Sequence, residues 1–281
     1  MRSHCTEKNL AIVLLGCIIC CAGALAVPTT ELLVSAYGAD GALSMNNTVT
    51  IPWMEANLPV QGDGKTHYYH QGPVFVDSKE GQWDMKETTN FKDMGAVKGT
   101  AVRDLCDLVG GMNPGDDVMV KAVDGYHVEI PYENIYHPDP RQGNITVCWF
   151  NGEESSVGER QGTGYPPSYH VGMRLLFLAD TSTNSEGKHV FGNWDMHEVM
   201  PADRIHLFDN LYPSTGGYTV KWVDEIRVYR DGYKGSSDLL PKSYESKVNE
   251  TYPAPPTESP LLLIPIIAGC GAILIFRKWN P

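Results

Sequence analysis

The stretch from Lys98 to Tyr136, KGTAVRDLCDLVGGMNPGDDVMVKAVDGYHVEIPYENIY, limits the possible folds more than any other part of the chain. Val102, Leu105, Cys106 and Val109 recur at i, i+3, i+4 and i+7, which predicts a helix with one apolar stripe and Thr100 as its cap. Gly110 and Gly111 stop it, because glycine takes the left-handed conformation that helix ends use. Asn113-Pro114-Gly115 predicts a turn. A strand then presents Val118, Val120 and Ala122 on one face and Met119, Lys121 and Val123 on the other. Asp124-Gly125 is a tight-hairpin signal, and His127 to Ile130 returns as a second strand. A helix, a turn and a hairpin in this order predict part of a domain core.

Strand signals dominate elsewhere. Strands are expected at Glu31–Tyr37, Thr48–Ile51, Ile145–Phe150, Leu175–Leu178 and Val220–Tyr229, with a short helix at Pro52–Leu58. The 28 glycines and 19 prolines favour a loop-rich, strand-rich α+β domain over a helical bundle. A formal net charge of −12 argues against a nucleic-acid partner, which needs a basic footprint.

The ends read as targeting and anchoring segments. Residues 1–26 combine a polar start, an apolar run from Leu10 and the A-x-A pattern Ala24-Leu25-Ala26, which predicts a secretory signal peptide. A retained N-terminal anchor and a lipoprotein reading through Gly16-Cys17 are the alternatives. Residues 27–233 then form the domain, and residues 234–260 a Pro/Ser/Thr-rich stalk. Residues 261–276 form an uncharged apolar run of roughly 24 Å as a helix, expected to be a single transmembrane span. Arg277 and Lys278 follow it, so residues 277–281 are expected on the cytoplasmic side and the domain outside the cell. Asn46, Asn144 and Asn249 each begin a glycosylation triplet. This layout looks like that of archaeal cell-surface proteins.

Of seven cysteines, only Cys106 and Cys148 fall within residues 27–233. In an exported domain they form either a disulfide or two separate buried thiols. A bridge would contribute on the order of 3–4 kcal/mol in the loop-entropy picture.

His67-Tyr68-Tyr69-His70 is the first candidate for chemistry. On a helix the i, i+3 spacing offers two imidazoles on one face to zinc, copper or haem iron. On a strand the two rings point to opposite faces. The flanking Gly62, Gly64, Gly72 and Pro73 predict a loop, in which these residues are aromatic packing. His189 and His197, beside Trp194 and Glu198, are the other candidate metal ligands. Asp180, Thr181, Thr183, Asn184 and Glu186 read either as calcium oxygens or as a polar turn. Gln161-Gly-Thr-Gly-Tyr-Pro-Pro167 is glycine-rich but lacks the strand-to-helix setting of a phosphate loop, and reads as a surface loop. No nucleophile elbow or phosphate-loop pattern is present.

Several motifs follow one another in the order of a known family. Gly99, Asp104, Leu105 and Gly110 fit a G-x-x-x-x-D-L-x-x-x-x-G helix, and Asp124-Gly125-Tyr126 follows it. Asn151-Gly152-Glu153, then Gly172-Met-Arg174-Leu175, then Lys221-Trp222-Val223 with Ile226 complete the series. Together, over roughly residues 30 to 230, they resemble the molybdopterin-binding domain of sulfite-oxidase-type oxidoreductases. The resemblance implies a mixed, β-rich α+β fold, a molybdopterin cofactor and a place for Arg174 near it. The glycine-to-arginine spacing is one residue shorter than in the family. The stretch that supplies the family's molybdenum-binding cysteine, here Gln61 to Met94, contains no cysteine. Two functions follow. One is a non-catalytic surface domain that binds a protein or glycan partner, or serves as an envelope component. The other is an oxidoreductase that keeps molybdopterin without thiolate ligation or uses a transition metal held by histidines.

Overall fold

The computed structural model describes residues 29–180 and 186–235. Strand β1 (Glu31–Tyr37) turns back into β2 (Leu43–Thr50), followed by helix α1 (Ile51–Asn57) and strands β3 (Val60–Gln61) and β4 (His67–Gln71). Helix α2 (Lys79–Gln82) leads to the long β5 (Phe91–Ala101), helix α3 (Val102–Asp107), the hairpin β6 (Asp117–Ala122) and β7 (His127–Pro131), and α4 (Tyr132–Tyr136). Then come β8 (Asn144–Asn151), β9 (Arg174–Leu178), β10 (His189–Phe191), α5 (Asn193–Val199), the small hairpin β11 (Leu207–Phe208) and β12 (Tyr212–Pro213), and β13 (Val223–Tyr229). The architecture is α+β, rich in strands and poor in helix, as the sequence predicts.

Two sheets carry the fold. One has the order β2-β1-β13-β6-β7; the other runs β10-β4-β5-β8-β9, with β3 also on β5. Strands β1 and β13 pair in parallel, Val34 opposite Ile226, so the two ends of the domain lie side by side at the centre of the first sheet. Period-two alternation decides what each face buries. Leu32, Val34, Val118, Val120, Ala122, Ile226 and Val228 from the first sheet share one core with Ile145, Val147, Trp149, Leu175 and Phe177 from the second. Helix α3 adds Val102, Leu105 and Cys106 to that core, all fully buried. The opposite face of the second sheet forms a smaller cluster of Met94, Val97, Cys148, Leu176 and Leu178.

The helix start differs from the sequence expectation. Thr100 does not cap α3; it stays in β5, paired with Val60 on one side and Val147 on the other. Its hydroxyl accepts the indole N–H of buried Trp149 at 3.0 Å. A buried indole donor needs an acceptor, and that need outweighs a local cap. The last strand also begins later than expected, at Val223, because Trp222 adopts a φ of +50°. The second strand begins earlier, at Leu43.

Among the described residues no helix is long and apolar enough to cross a membrane. The expected signal segment, the stalk beyond Gly235, the span at 261–276, Asn249, and Thr181, Thr183 and Asn184 lie outside the described residues.

Candidate functional site

A cleft of about 290 Å³ opens where β5, the loop 152–164 and β9 meet, lined by Lys92, Asp93, Met94, Gly158, Glu159, Gln161 and Arg174. The loop lies along β5 because the backbone holds it there. Gly152 N–H donates to Ala96 O at 2.7 Å, and Asp93 N–H donates to Val157 O at 2.9 Å.

Arg174 opens β9 and is only 4% exposed. Its Nη1 donates to Gln161 Oε1 at 2.8 Å and its Nη2 to Thr219 Oγ1 at 3.0 Å. Both acceptors are neutral, and Nε is buried with no hydrogen-bond partner. Burial pulls the guanidinium below its ordinary pKa, against the opposing pull of Tyr169, Glu159 and Cys148. A guanidinium still does not give up its proton in a protein, so the group is a buried cation with no carboxylate in ion-pair contact, although Glu159 is near enough for its charge to act on it. The hydroxyl of Tyr169, near enough to feel that charge, is likewise buried without a partner. Lys92 stands exposed at the mouth, with no ion pair among the described residues.

The carboxylates of the lining are already committed. Asp93 accepts His67 Nδ1–H at 2.9 Å, Gly95 N–H at 2.8 Å, and both N–H and Oγ–H of Ser156 at 2.7 Å. Burial pushes its pKa up, but these donors outweigh it and hold the carboxyl below the usual range. Glu159 pairs with Lys221. Gln161 is fixed from three sides. Its N–H donates to Glu154 Oε1 at 2.7 Å, and its Nε2 donates to Ser155 Oγ at 2.6 Å and to Asp93 O at 3.2 Å. Of the four charged residues in the lining, the two carboxylates thus have partners of their own, and the two cations, Lys92 and Arg174, have no ion pair among the described residues.

The four histidines expected to share a metal stand apart. His67 and His70 lie in β4 rather than in a loop, and the extended backbone turns them to opposite faces. His67 is bound by Asp93 and faces Glu153 at 3.4 Å. Burial lowers its pKa, yet these two carboxylates outweigh that and raise it. His70 is completely buried, between Thr215 O and Phe177 N–H. His189 Nδ1 lies 2.8 Å from Ala179 O. The His197 ring rests between Trp83 and Trp194, at centroid distances of 4.9 and 5.1 Å. No group of three or more His, Cys, Asp or Glu that could hold a metal occurs among the described residues.

Cys106 and Cys148 are free thiols, not a disulfide. Cys106 faces the main core and Cys148 the smaller cluster on the other face of the second sheet, so β8 itself separates them. Burial raises both thiol pKa values, and neither residue lines the cleft. A thiolate-held molybdenum does not fit this donor set, because the cleft offers no soft anionic ligand.

Arg174 was marked in the sequence by the family resemblance alone. Lys92, Asp93 and Gln161 carried no signature of their own, although the glycine-rich segment beginning at Gln161 marked the right loop. Of the glycosylation candidates, Asn46 is exposed, whereas Asn144 is half-buried and donates to Gln61 Oε1 at 2.9 Å. No protein-family model matches the chain, and no curated protein is similar enough in sequence to count as a relative.

Proposed function

We propose that the chain is a non-catalytic binding module, displayed outside the cell on a C-terminal membrane anchor and built on a sulfite-oxidase-like scaffold, and that the cleft at Arg174 takes a small oxyanion. The reading is carried by one observation: a buried guanidinium with only neutral partners and an unpaired Nε lies in the lining of an open cleft. An oxyanion arriving there would supply the counter-charge that the protein withholds, and Lys92 would approach it from the mouth. The lining contains no cysteine, serine or histidine to attack or protonate a ligand, which favours binding over turnover. With a net charge of −12 the chain repels anions at long range, so recognition has to come from this local arrangement.

The test is calorimetric titration of the full chain with sulfate, phosphate and acetate in turn. At least one of them should bind saturably. Arg174→Met should weaken that binding by roughly 10- to 100-fold, the worth of a charge-assisted hydrogen bond. Lys92→Met, an exposed change, should weaken it less. If none of the three anions binds, the reading fails.

A further inference from the structure

The first sheet ends in an edge that its own side chains do not protect. Among the described residues β2 pairs only with β1, leaving one row of backbone N–H and C=O groups open. Such an edge is a template for a further strand, and proteins normally blunt it with charge, proline or short length. The opposite edge follows that rule: β7 carries His127 and Glu129 and ends at Pro131. Of the two outer strands of the second sheet, β10 is only 3 residues long and β9 is buried throughout. Strand β2, LSMNNTVT, is 8 residues long and has neither a charge nor a proline. Residues 43–48 are exposed throughout, with Leu43 at 45% and Met45 at 50%.

The same strand holds the triplet Asn46-Asn47-Thr48. The Asn46 side chain is exposed and makes no hydrogen bond among the described residues. Asn144 is the contrast. It lies in β8, between β5 and β9, and its amide is spent on Gln61. A sugar there would break that bond and force the strands apart.

We propose that Asn46 carries an N-linked glycan and that this glycan shields the open edge of β2. The bond formed joins the Asn46 side-chain nitrogen to C1 of the first sugar. The bond broken joins that carbon to the diphosphate of a lipid-linked sugar donor. The lipid diphosphate leaves, and the amide proton passes to solvent. The glycan is bulky and hydrated, and so excludes a second strand as a lysine would. This inference rests on the export of the domain proposed above, and is independent of what the cleft binds.

Peptide mass spectrometry of the full chain from its native host tests the modification. Asn46 should be glycosylated and Asn144 bare; a bare Asn46 overturns the proposal. Sedimentation of the full chain in detergent tests the shielding. Relative to the glycosylated protein, Asn46→Gln should shift toward dimers and larger species, and Asn144→Gln should not. Adding Met45→Lys to Asn46→Gln should restore the original profile, because a charge replaces the glycan. An Asn46→Gln protein that sediments like the parent overturns the shielding role even where the glycan is found.

Discussion

The amide of Phe177 donates to Nε2 of His70 at 3.2 Å inside the protein core. A backbone N–H can only donate, so Nε2 carries no proton and Nδ1 does. The Nδ1–H then points to Thr215 O at 3.1 Å. Both ring nitrogens are satisfied only while the imidazole is neutral. Burial pushes its pKa down to about 3, Thr215 opposes that, and the Arg174 charge adds to it. Unfolded, the same group titrates near its ordinary 6.5. Between these values the unfolded chain binds a proton that the folded chain refuses. Stability from this residue is therefore complete above pH 6.5 and declines as pH falls toward 3, by at most about 1.4 kcal/mol per pH unit. Urea unfolding at pH 7.5 and pH 5.0 should show the decline. His70→Phe should flatten it while costing about 2–5 kcal/mol at pH 7.5, because Phe177 N–H and Thr215 O lose their partner.

Asp93 ties the cleft wall to β5, and its removal should loosen that wall. It receives four donors from three residues: His67 in β4, Gly95 in β5 itself and Ser156 in the loop. Asp93→Ala should cost about 2–4 kcal/mol, because several buried donors are left unmet. Hydrogen exchange at the amides of Ser156 and Gln161 should quicken more than at the core amides of β13. Because the folded pKa of Asp93 is depressed, its contribution is present above its ordinary value of 3.8 and is lost as pH falls through the lower folded value. The His70 effect thus begins at a higher pH than the Asp93 effect, and the two overlap only below 3.8.

Local pattern was readable where local pattern decided the outcome. The alternation of Val118, Val120 and Ala122, the stop at Gly110 and Gly111, and the hairpin at Asp124-Gly125 all appear as expected, since each rests on backbone preference and face burial. Thr100 departed because the indole of Trp149, far along the chain, claimed its hydroxyl. His67 to His70 departed because pairing with β5 and β10 outweighed the glycines on either side. The cleft was barely legible. Lys92 and Asp93 are ordinary strand residues, Gln161 is in a loop, and Arg174 opens another strand. Only the register of β5, β8 and β9 brings them together, and no motif encodes that register.

The two cysteines should behave as buried thiols. Cys106 and Cys148 are both fully buried, and burial raises the pKa of each. A thiolate is the species that alkylates, so both should resist iodoacetamide in the folded protein. Unfolding without any reductant should expose both to full alkylation, read at the peptide level. A requirement for reductant would mean that they are bonded to each other or to another cysteine.

Gly143 should accept no side chain. It has a φ of +65°, and a Cβ placed there would stand 1.7 Å from Leu178 O and 2.4 Å from Leu178 C. Both atoms belong to the backbone of β9, which cannot yield without disturbing its pairing with β8. Gly143→Ala should therefore cost several kcal/mol, at or above roughly 3, and lower the melting temperature sharply. Gly125→Ala is the control. Its φ of +91° is strained as well, but nothing lies within 4 Å of an added Cβ. Its cost should be about 1–2 kcal/mol, the price of the dihedral alone. Equal losses at the two sites would show that the close approach to Leu178 contributes nothing.

Arg174→Lys separates charge from geometry in the cleft. The guanidinium holds Gln161 with one arm and Thr219 with the other, leaving Nε unbonded. A lysine keeps the positive charge but carries a single ammonium on a flexible stem, and cannot span both acceptors as a rigid fork does. If the cleft attracts an anion by charge alone, Arg174→Lys should bind it as the parent does. If the fork positions both Gln161 and the anion, the lysine variant should lose about tenfold or more in affinity, approaching Arg174→Met. We expect the second result. The loss should come with freer motion of Gln161, because its side-chain carbonyl then lacks the donor that fixes it, and amide exchange in the segment around Gln161 reports this without any ligand present. An unchanged affinity alongside an unchanged exchange rate would leave the fork without a role.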